Sequence, residues 1–413
     1  MKTESVLCYV LILLTVSPCL NASEDGTFTN VNLYSRERSI FPRMAVDPAS
    51  GTVLIIWSNE DVSNRNSRGV LKALISIKKD GSWKLNKARR IVSGGTNAAI
   101  AFNNFGEDFL IVWDTKPPLD YQASKIKGQL FNLKGRKSSG IISYDDLGLV
   151  NLFPNVVYNK NDNNFLLVWM RSSLWHYQDS SCGLMSAILD ANGEQSSQTK
   201  KIRELTCFEN YVYYDVALCG TFNSKSNRSI FVVVEEDPVS TSKYYERYFI
   251  YKFDRNGNLF GRDCLTPVAL ESDRCSYYAS ISEQNKSNKA FHFIAWAGNG
   301  RLTVRELTRK GKLKGLNMGI GGLNEPLSTA IAYSAEYDLY FLINDGGNGL
   351  KGRFLNTSGE IVGGLHIISK NKESFAPAVA WNPVLGEFLV VWAEIKPSGS
   401  RTLKLSSLPP PTK

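Results

Sequence analysis

The sequence is poor in histidine, in metal-binding motifs and in segments with helical hydrophobic periodicity. It contains three histidines in 413 residues, far apart in the chain, and neither an HExxH nor a CxxC motif. A zinc site of the usual ligand spacing and a Ser-His-Asp arrangement are therefore not indicated. Almost no segment has helical hydrophobic periodicity, which argues against α/β barrels and helical solenoids. We expect an all-β protein with no metal and no cofactor.

Long hydrophobic runs are also absent after the first 20 residues, so we expect no stretch to reach the ~20 apolar residues of a membrane span. The N-terminus has Lys2, an apolar run from Val6 to Leu20, and then Asn21, Ala22 and Ser23. This pattern predicts a secretory signal peptide over residues 1–23. The alternative is an uncleaved anchor. The mature protein, residues 24–413, is expected to be one secreted, extracellular domain.

Three Asn-X-Ser sequons agree with that compartment. They begin at Asn227, Asn285 and Asn356, and all three fall in predicted turns, where a bulky glycan can be accommodated. We therefore predict N-glycosylation at these three residues.

The cysteines of the mature chain are odd in number. Five remain after the signal peptide: Cys182, Cys207, Cys219, Cys264 and Cys275. In an oxidising compartment, two disulfides and one free or intermolecular thiol are the simplest account. A Cys264–Cys275 disulfide would close one connecting loop, and the spacing leaves the other pair open.

A repeat organises the chain. The stretch Phe375 to Trp392, FAPAVAWNPVLGEFLVVW, combines a short strand, a polar turn and a second strand of four apolar residues. A third apolar segment follows most copies and runs into a Gly turn, such as Asp190 to Gly193, and a fourth strand follows. Four strands per repeat is typical of a propeller blade. Seven imperfect copies end at Trp57, Trp113, Trp169, Val234, Trp296, Ile343 and Trp392.

The two ends of the chain complement each other. The last repeat stops at Pro409 after its third strand, and an orphan strand from Thr29 to Tyr34 precedes the first repeat. We therefore predict a seven-bladed β-propeller of four-stranded antiparallel blades, in which the N-terminal strand completes the last blade and removes its open edge. The repeated Trp residues are expected to pack between blades, since large aromatics dominate core burial.

The copies, of the form P-x-V-A-Y-N followed by F-L-V-V-W, resemble repeats of uncharacterised secreted β-propeller proteins of bacteria and invertebrates. The resemblance covers nearly the whole mature chain and concerns the scaffold, so it implies no catalytic residues. The profile is also similar to invertebrate extracellular or skeletal matrix proteins. The WD40, kelch and sialidase Asp-box signatures are missing.

Propeller geometry sorts the connections onto two faces. The loop face carries the second-to-third-strand loops and the connections between blades; the hairpin face carries the other two turns of each blade and all three sequons. The loops of the first four blades are long, and long loops on a rigid scaffold often bind ligands. The candidate ligand-binding residues are Asp114, Tyr121, Arg171, Trp175, His176, Tyr177, Glu235, Asp237, Tyr244 and Tyr245.

The net charge is +9, and basic residues cluster near the outer hairpins. Such a rim attracts sulfated glycans or acidic matrix proteins, although Lys and Arg on edge strands also simply block sheet pairing. The candidate rim residues are Lys87, Arg89, Arg90, Arg136, Lys137, Lys200 and Lys201.

These features predict a secreted glycoprotein that acts as a non-catalytic binding or matrix module. Its partner would be an extracellular glycan, an acidic matrix component or a protein; nucleic acid does not suit the compartment. The alternative is a carbohydrate-active hydrolase, which needs two carboxylates converging on one cleft. Asp114, Glu235, Asp237 and Asp345 follow second strands and would supply them at the loop face.

Overall fold

The protein is a seven-bladed β-propeller. The computed structural model describes residues 27–32, 41–59, 69–77, 83–86, 88–115, 123–144, 150–172, 181–206, 218–237, 245–265, 270–271, 280–283, 292–298, 301–308, 310–324, 326–346, 348–397 and 401–411. These residues form thirty strands in seven antiparallel sheets and contain no helix. No described segment is therefore a helix that could cross a membrane. The predicted fold class is confirmed.

The first four blades follow one another along the chain. Blade 1 contains β2 (Arg43–Val46), β3 (Val53–Asn59), β4 (Gly69–Ile77), β5 (Trp83–Leu85) and β6 (Arg89–Ser93). Blade 2 contains β7 (Gly95–Asn103), β8 (Asp108–Thr115), β9 (Ile126–Asn132) and β10 (Ile142–Ser143). Blade 3 contains β11 (Val150–Asn159), β12 (Asn164–Ser172), β13 (Ser181–Leu189) and β14 (Lys200–Thr206). Blade 4 contains β15 (Cys219–Asn223), β16 (Arg228–Asp237), β17 (Tyr245–Phe253), β18 (Leu259–Cys264) and β19 (Leu270–Glu271).

The other three blades complete the ring. Blade 5 contains β20 (Ser280–Glu283), β21 (His292–Gly298), β22 (Arg301–Leu307) and β23 (Leu313–Asn324). Blade 6 contains β24 (Pro326–Ser334), β25 (Leu339–Gly346), β26 (Gly349–Asn356) and β27 (Ile361–Ser369). Blade 7 contains β28 (Ser374–Asn382), β29 (Glu387–Ile395), β30 (Arg401–Leu408) and, as its outer strand, β1 (Thr27–Asn32).

The N-terminal strand closes the ring, as predicted. Strand β1 pairs antiparallel with β30, with Phe28 opposite Leu405 and Val31 opposite Leu403. The observed strand begins two residues earlier than the predicted one. The pairing covers the edge that β30 would otherwise expose, and an exposed edge is a template for aggregation.

The core lies between the blades. Trp57, Trp113, Trp169 and Trp392 are at most 1% exposed. Trp57 of blade 1, for example, belongs to one hydrophobic cluster with Leu389 of blade 7. Truncating a buried aromatic to Ala typically costs about 3–5 kcal/mol, so these side chains bind each blade to the next. Their predicted packing role is confirmed.

In four blades the inner strand ends on an Asn that shapes the turn to the second strand: Asn103, Asn159, Asn223 and Asn382. Asn103 accepts hydrogen bonds from the backbone N–H groups of Phe105 (2.9 Å) and Gly106 (3.1 Å) through its Oδ1. Such an Asx turn replaces backbone pairing where the chain reverses. The Nδ2 of Asn382 also donates to the Gly51 carbonyl of blade 1 at 2.8 Å. The repeated Asn thus caps its own turn and joins neighbouring blades.

Candidate functional site

Asp114, a predicted ligand-binding residue, lies at the end of β8 with no exposed surface. Its carboxylate accepts hydrogen bonds from Thr96 Oγ1 (2.5 Å) and Asn97 Nδ2 (2.8 Å) of its own blade. It also accepts one from the Phe153 backbone N–H of blade 3 at 3.0 Å. A buried carboxylate is tolerated only when its acceptor sites are filled in this way. Asp114 therefore joins blades 2 and 3 and does not face a ligand.

Asp345 repeats this arrangement between blades 6 and 7. It is 2% exposed and accepts hydrogen bonds from the backbone N–H (2.5 Å) and the hydroxyl of Ser328. It also accepts one from the Ala376 backbone N–H at 3.0 Å. Asp114 and Asp345 are enclosed in two separate blade junctions, so these two carboxylates do not converge on one cleft. The hydrolase hypothesis required such convergence.

The remaining loop-face candidates are described in part. Arg171 is half-buried, and its Nε donates to Asn151 Oδ1 at 3.2 Å; the same oxygen accepts the indole N–H of Trp169 at 2.9 Å. Asp237 of β16 pairs with Tyr245 of β17, so their backbones meet at the loop-face end of blade 4. The side chains of Glu235, Asp237 and Tyr245 lie outside the described residues, as do Tyr121, Trp175, His176, Tyr177 and Tyr244. Ligand binding by this group stays a prediction.

A central channel runs between the inner strands of the blades. Its inner part is a chamber of about 210 Å³ to which the inner strands of all seven blades contribute. Arg43, Asn155 and Thr329 supply polar groups to its wall, and Asn155 Nδ2 donates to the Leu218 carbonyl at 2.7 Å. Cys219 also lines the chamber as a free thiol, and burial raises the pKa of that thiol to about 12.

The channel widens into a vestibule of about 770 Å³ that opens on the hairpin face. An aromatic side chain immediately precedes the turn-capping residue in five of the inner strands, and together these side chains form the aromatic belt of the vestibule. The belt consists of Phe102, Tyr158, Phe222, Tyr333 and Trp381.

Aromatic partners on the second strands hold the belt in place. The Tyr158 ring centroid lies 5.1 Å from that of Phe165, and the Trp381 centroid lies 4.8 Å from that of Phe388. Each pair is directly cross-strand, and aromatic pairs of this kind stabilise sheets. Tyr158 and Trp381 are half-buried, whereas the other three belt residues are at most 9% exposed. Tyr158 and Trp381 therefore provide the aromatic surface that a ligand can reach.

Polar groups flank this aromatic surface. Exposed Lys160 of blade 3 and exposed Glu336 of blade 6 line the same vestibule, and so does Asn104 of blade 2. Apolar walls with a few polar groups are typical of small-molecule sites. The vestibule was not among the predicted sites, because the aromatic residues predicted to bind a ligand were those of the long loops. The available signal was the aromatic residue that precedes the turn Asn, as in V-A-Y-N.

The predicted basic rim is largely exposed. Arg89, Arg90, Arg136, Lys137 and Lys201 are exposed, whereas Lys87 lies outside the described residues.

Two rim lysines already have partners. Lys200 is half-buried and its Nζ donates to the Asn256 carbonyl (2.9 Å) and to Asn258 Oδ1 (2.5 Å), which joins blade 3 to blade 4. Lys201 Nζ lies 3.3 Å from a carboxylate oxygen of Glu204. Surface pairs of this kind contribute at most about 1 kcal/mol. Lys200 therefore has a structural role, and binding of an anionic partner by the rim stays a prediction.

Two of the three predicted modification sites, Asn227 and Asn356, lie on the expected turns. Asn227 is half-buried at the first turn of blade 4 and donates to Asp162 Oδ2 at 3.0 Å. Asn356 starts the outer hairpin of blade 6 and donates to Glu360 Oε2 at 2.7 Å. Asn285 lies outside the described residues. Glycosylation of the three stays a prediction.

The predicted disulfide is described at one end only. Cys264 is half-buried at the end of β18, and Cys275 lies outside the described residues. The Cys264–Cys275 pairing therefore stays a prediction. Within the described part of the chain, no three His, Cys, Asp or Glu side chains cluster closely enough to hold a metal ion.

The fold and the channel place the chain among seven-bladed propellers. No protein-family model matches the sequence, and no curated protein sequence matches it. Among solved structures, it is similar to the Hadza microbial sialidase Hz136, with 10% identity, coverage of 86% of this chain and 76% of that chain, and a TM-score of 0.48. It is also similar to the NanB sialidase of Streptococcus pneumoniae (11% identity, 90% and 68% coverage, TM-score 0.46). A polysaccharide lyase of family PL25, an ulvan lyase, matches with 10% identity, 76% and 78% coverage and a TM-score of 0.48.

Proposed function

We propose that this protein is a secreted, non-catalytic extracellular binding or matrix module that holds a glycan in the vestibule. The observation that carries the proposal is the exposed aromatic surface of Tyr158 and Trp381 inside a cavity of about 770 Å³. The apolar face of a sugar ring stacks on such surfaces, while its hydroxyl groups need polar partners. Lys160, Glu336 and Asn104 lie at the vestibule to supply them.

Two observations support binding rather than hydrolysis. The Asp114 and Asp345 carboxylates are buried in blade junctions and accept hydrogen bonds from the protein itself. Neither belongs to the set of residues that lines the vestibule or the inner chamber. The general acid and base that a glycosidase needs are not supplied by these two residues.

The face on which the vestibule opens favours a small ligand over a protein. Asn227 and Asn356 lie on this hairpin face, and glycans attached there would screen it from large partners. A short glycan would still reach the channel mouth. The exposed rim residues would add long-range attraction toward acidic matrix components, since the net charge of the chain is +9.

A glycan array with the secreted protein, followed by calorimetry on the selected glycan, tests the proposal. Trp381→Ala should weaken binding about tenfold, because it removes the larger stacking surface. Phe105→Ala is the matched control: Phe105 is 72% exposed on the same face but does not line the vestibule. It should bind as the wild type does.

Equal affinities of the Trp381→Ala and Phe105→Ala variants would overturn the vestibule as the glycan site. Thermal unfolding of both variants shows whether either has lost its fold. If Trp381→Ala fails to fold, Lys160→Ala gives an independent test at an exposed position of the same vestibule. It should weaken binding without changing stability.

Secretion is tested by expression with the native N-terminus in cells that have a secretory pathway. We expect the medium to contain a protein that begins near Ser23 and shifts in mobility after treatment with an N-glycosidase. Substituting Asn227 and Asn356 with Gln should remove part of that shift. Retention in the cell with residues 1–23 intact would contradict the assignment.

A further inference from the structure

Lys72 is an unusual residue for the core of a sheet. It lies in β4 of blade 1 and is only 9% exposed. Its Nζ donates to the Gly135 carbonyl in the outer hairpin of blade 2 at 2.6 Å and lies 3.4 Å from the centroid of the Phe131 ring. A lysine ammonium has three donors and no acceptor. The carbonyl fills one of them, and the ring attracts the cation without neutralising it.

Two further cations approach Lys72 from the two blades that meet there. Arg89 of β6 is paired directly opposite Lys72, so both side chains lie on the same face of blade 1. Lys137 forms an isolated bridge opposite Phe131, the residue whose ring lies under the ammonium. Burial, together with the charges of Lys137 and Arg89, lowers the pKa of Lys72 to about 8.

No carboxylate compensates this charge in the described part of the chain. Lys72, Arg89 and Lys137 form none of the ion pairs found there. The contrast with Lys252 is informative. Lys252 is also buried, in β17, and lies beside the Gly311 hairpin of blade 5, but it forms an ion pair with Asp263. At the blade 4–5 junction the protein supplies the anion; at the blade 1–2 junction it supplies more cations.

We propose that the junction of blades 1 and 2 is a discrete binding site for a sulfate group, formed by Lys72, Arg89 and Lys137. The exposed tips of Arg89 and Lys137 form the outer part of the site, and Lys72 forms its floor. A tetrahedral oxyanion matches this set of donors, because its oxygens accept hydrogen bonds from several cations at once. Assigning the sulfate to a sulfated polysaccharide rests on the proposed extracellular function; the anion site itself does not.

Inorganic sulfate and selenate test the anion site without any glycan. Crystals of the intact protein soaked in selenate should show anomalous density about 3 Å from Lys72 Nζ. In solution, calorimetry with sulfate at constant ionic strength should detect one site. The Arg89→Gln/Lys137→Gln variant should bind about tenfold more weakly, since two charge-assisted partners are lost.

A charge-matched control separates this site from the diffuse rim. Lys310→Gln/Lys312→Gln removes two exposed lysines from the outer hairpin of blade 5. Both double variants change only exposed residues, so both should fold. On a heparin column, Arg89→Gln/Lys137→Gln should elute at clearly lower salt than the control, and desulfated heparin should not distinguish the two.

The outcomes are distinct. Equal losses of heparin retention in both variants, with no selenate density at Lys72, would overturn the discrete site and leave only long-range attraction. Selenate density at Lys72 with no retention of the wild type on heparin would support the anion site and count against a sulfated polysaccharide as its ligand. Glycan binding in the vestibule should be unchanged in both variants, because none of the four residues lines it.

Discussion

The carboxylate of Asp114 accepts a hydrogen bond of 3.0 Å from the backbone N–H of Phe153 in the next blade. Phe153 has φ of 53° at a β-bulge, and Ala376, the residue that Asp345 holds in the same way, has φ of 51°. Non-glycine residues adopt this left-handed region rarely. In both junctions a buried carboxylate on one blade therefore fixes an irregular inner strand on the next.

We expect Asp114→Asn to lower the free energy of unfolding by about 3 kcal/mol. Both carboxylate oxygens accept hydrogen bonds in a buried site, and the NH2 group of Asn would face one of these donors without being able to accept from it. Asp345→Asn should cost a similar amount, and the two costs should add because the junctions share no residues. Glu107→Gln, which removes an exposed carboxylate from blade 2, is the control. Guanidinium unfolding measures the three single variants and the Asp114→Asn/Asp345→Asn double variant. If Asp114→Asn is as stable as the control, the carboxylate does not have the role described.

Deletion of residues 24–34 should leave the outer edge of β30 unpaired and cause the protein to aggregate. The reason is that β1 covers the outer edge of blade 7, and an open edge pairs with other chains. Light scattering during concentration measures the effect. A synthetic peptide of residues 27–32 should restore the monomer, whereas a scrambled peptide should not. A truncated protein that stays monomeric and equally stable would show that β1 is dispensable.

Cys219 should react slowly with iodoacetamide. Its pKa is raised by burial to about 12, so at pH 8 the reactive thiolate is about a thousandfold rarer than for an ordinary thiol with pKa near 9. Mass spectrometry after alkylation of the native and the unfolded protein measures the difference. Fast native labelling would contradict the raised pKa of this half-buried thiol in the channel wall. Complete protection even after unfolding would show that Cys219 is in a disulfide.

Sulfate affinity at the blade 1–2 junction should fall as the pH rises from 7 to 9.5. The lowered pKa of Lys72, about 8, means that its ammonium loses a proton in this range, while Arg89 stays charged. The third cation of the proposed site is Lys137. Bound sulfate favours the charged form and so shifts this transition to higher pH. Lys72→Met should bind weakly with no such fall, and an equally steep fall in that variant would exclude Lys72 as its source.

Much of the fold was predictable, because each repeat contains the residues that form the core between blades and the residues that shape the turns. The runs of four apolar residues ending on Trp57, Trp113, Trp169 and Trp392 are inter-blade core. In blades 2, 3, 4 and 7 the Asn before the turn is the residue that caps it. Ring closure was predictable because the last repeat lacks a fourth strand and one extra strand precedes the first repeat. The start of β1 was predicted two residues late, at Thr29 instead of Thr27, because alternating polar and apolar residues near the N-terminus fit more than one start.

The binding surfaces were harder to predict, because the same residue type serves different purposes in different blades. Asp114 follows a second strand, where a carboxylate is equally suited to a loop-face ligand; only the position of the Phe153 N–H in the next blade shows that it is a structural link. The aromatic belt is part of the repeat consensus, so it looked structural. Whether Trp381 also faces a cavity depends on the radius of the ring of seven blades, and no local sequence pattern specifies that radius.

The hydrogen bond from Asn382 to the Gly51 carbonyl joins residues 331 positions apart, and β1 meets β30 across nearly the whole chain. During synthesis on the ribosome, the side of blade 1 that packs against blade 7 therefore stays uncovered until blade 7 has been made. Contacts of such long range make folding slow and prolong the exposure of unpaired strands. A stop codon late in the reading frame would for this reason abolish the whole protein rather than remove one blade from it.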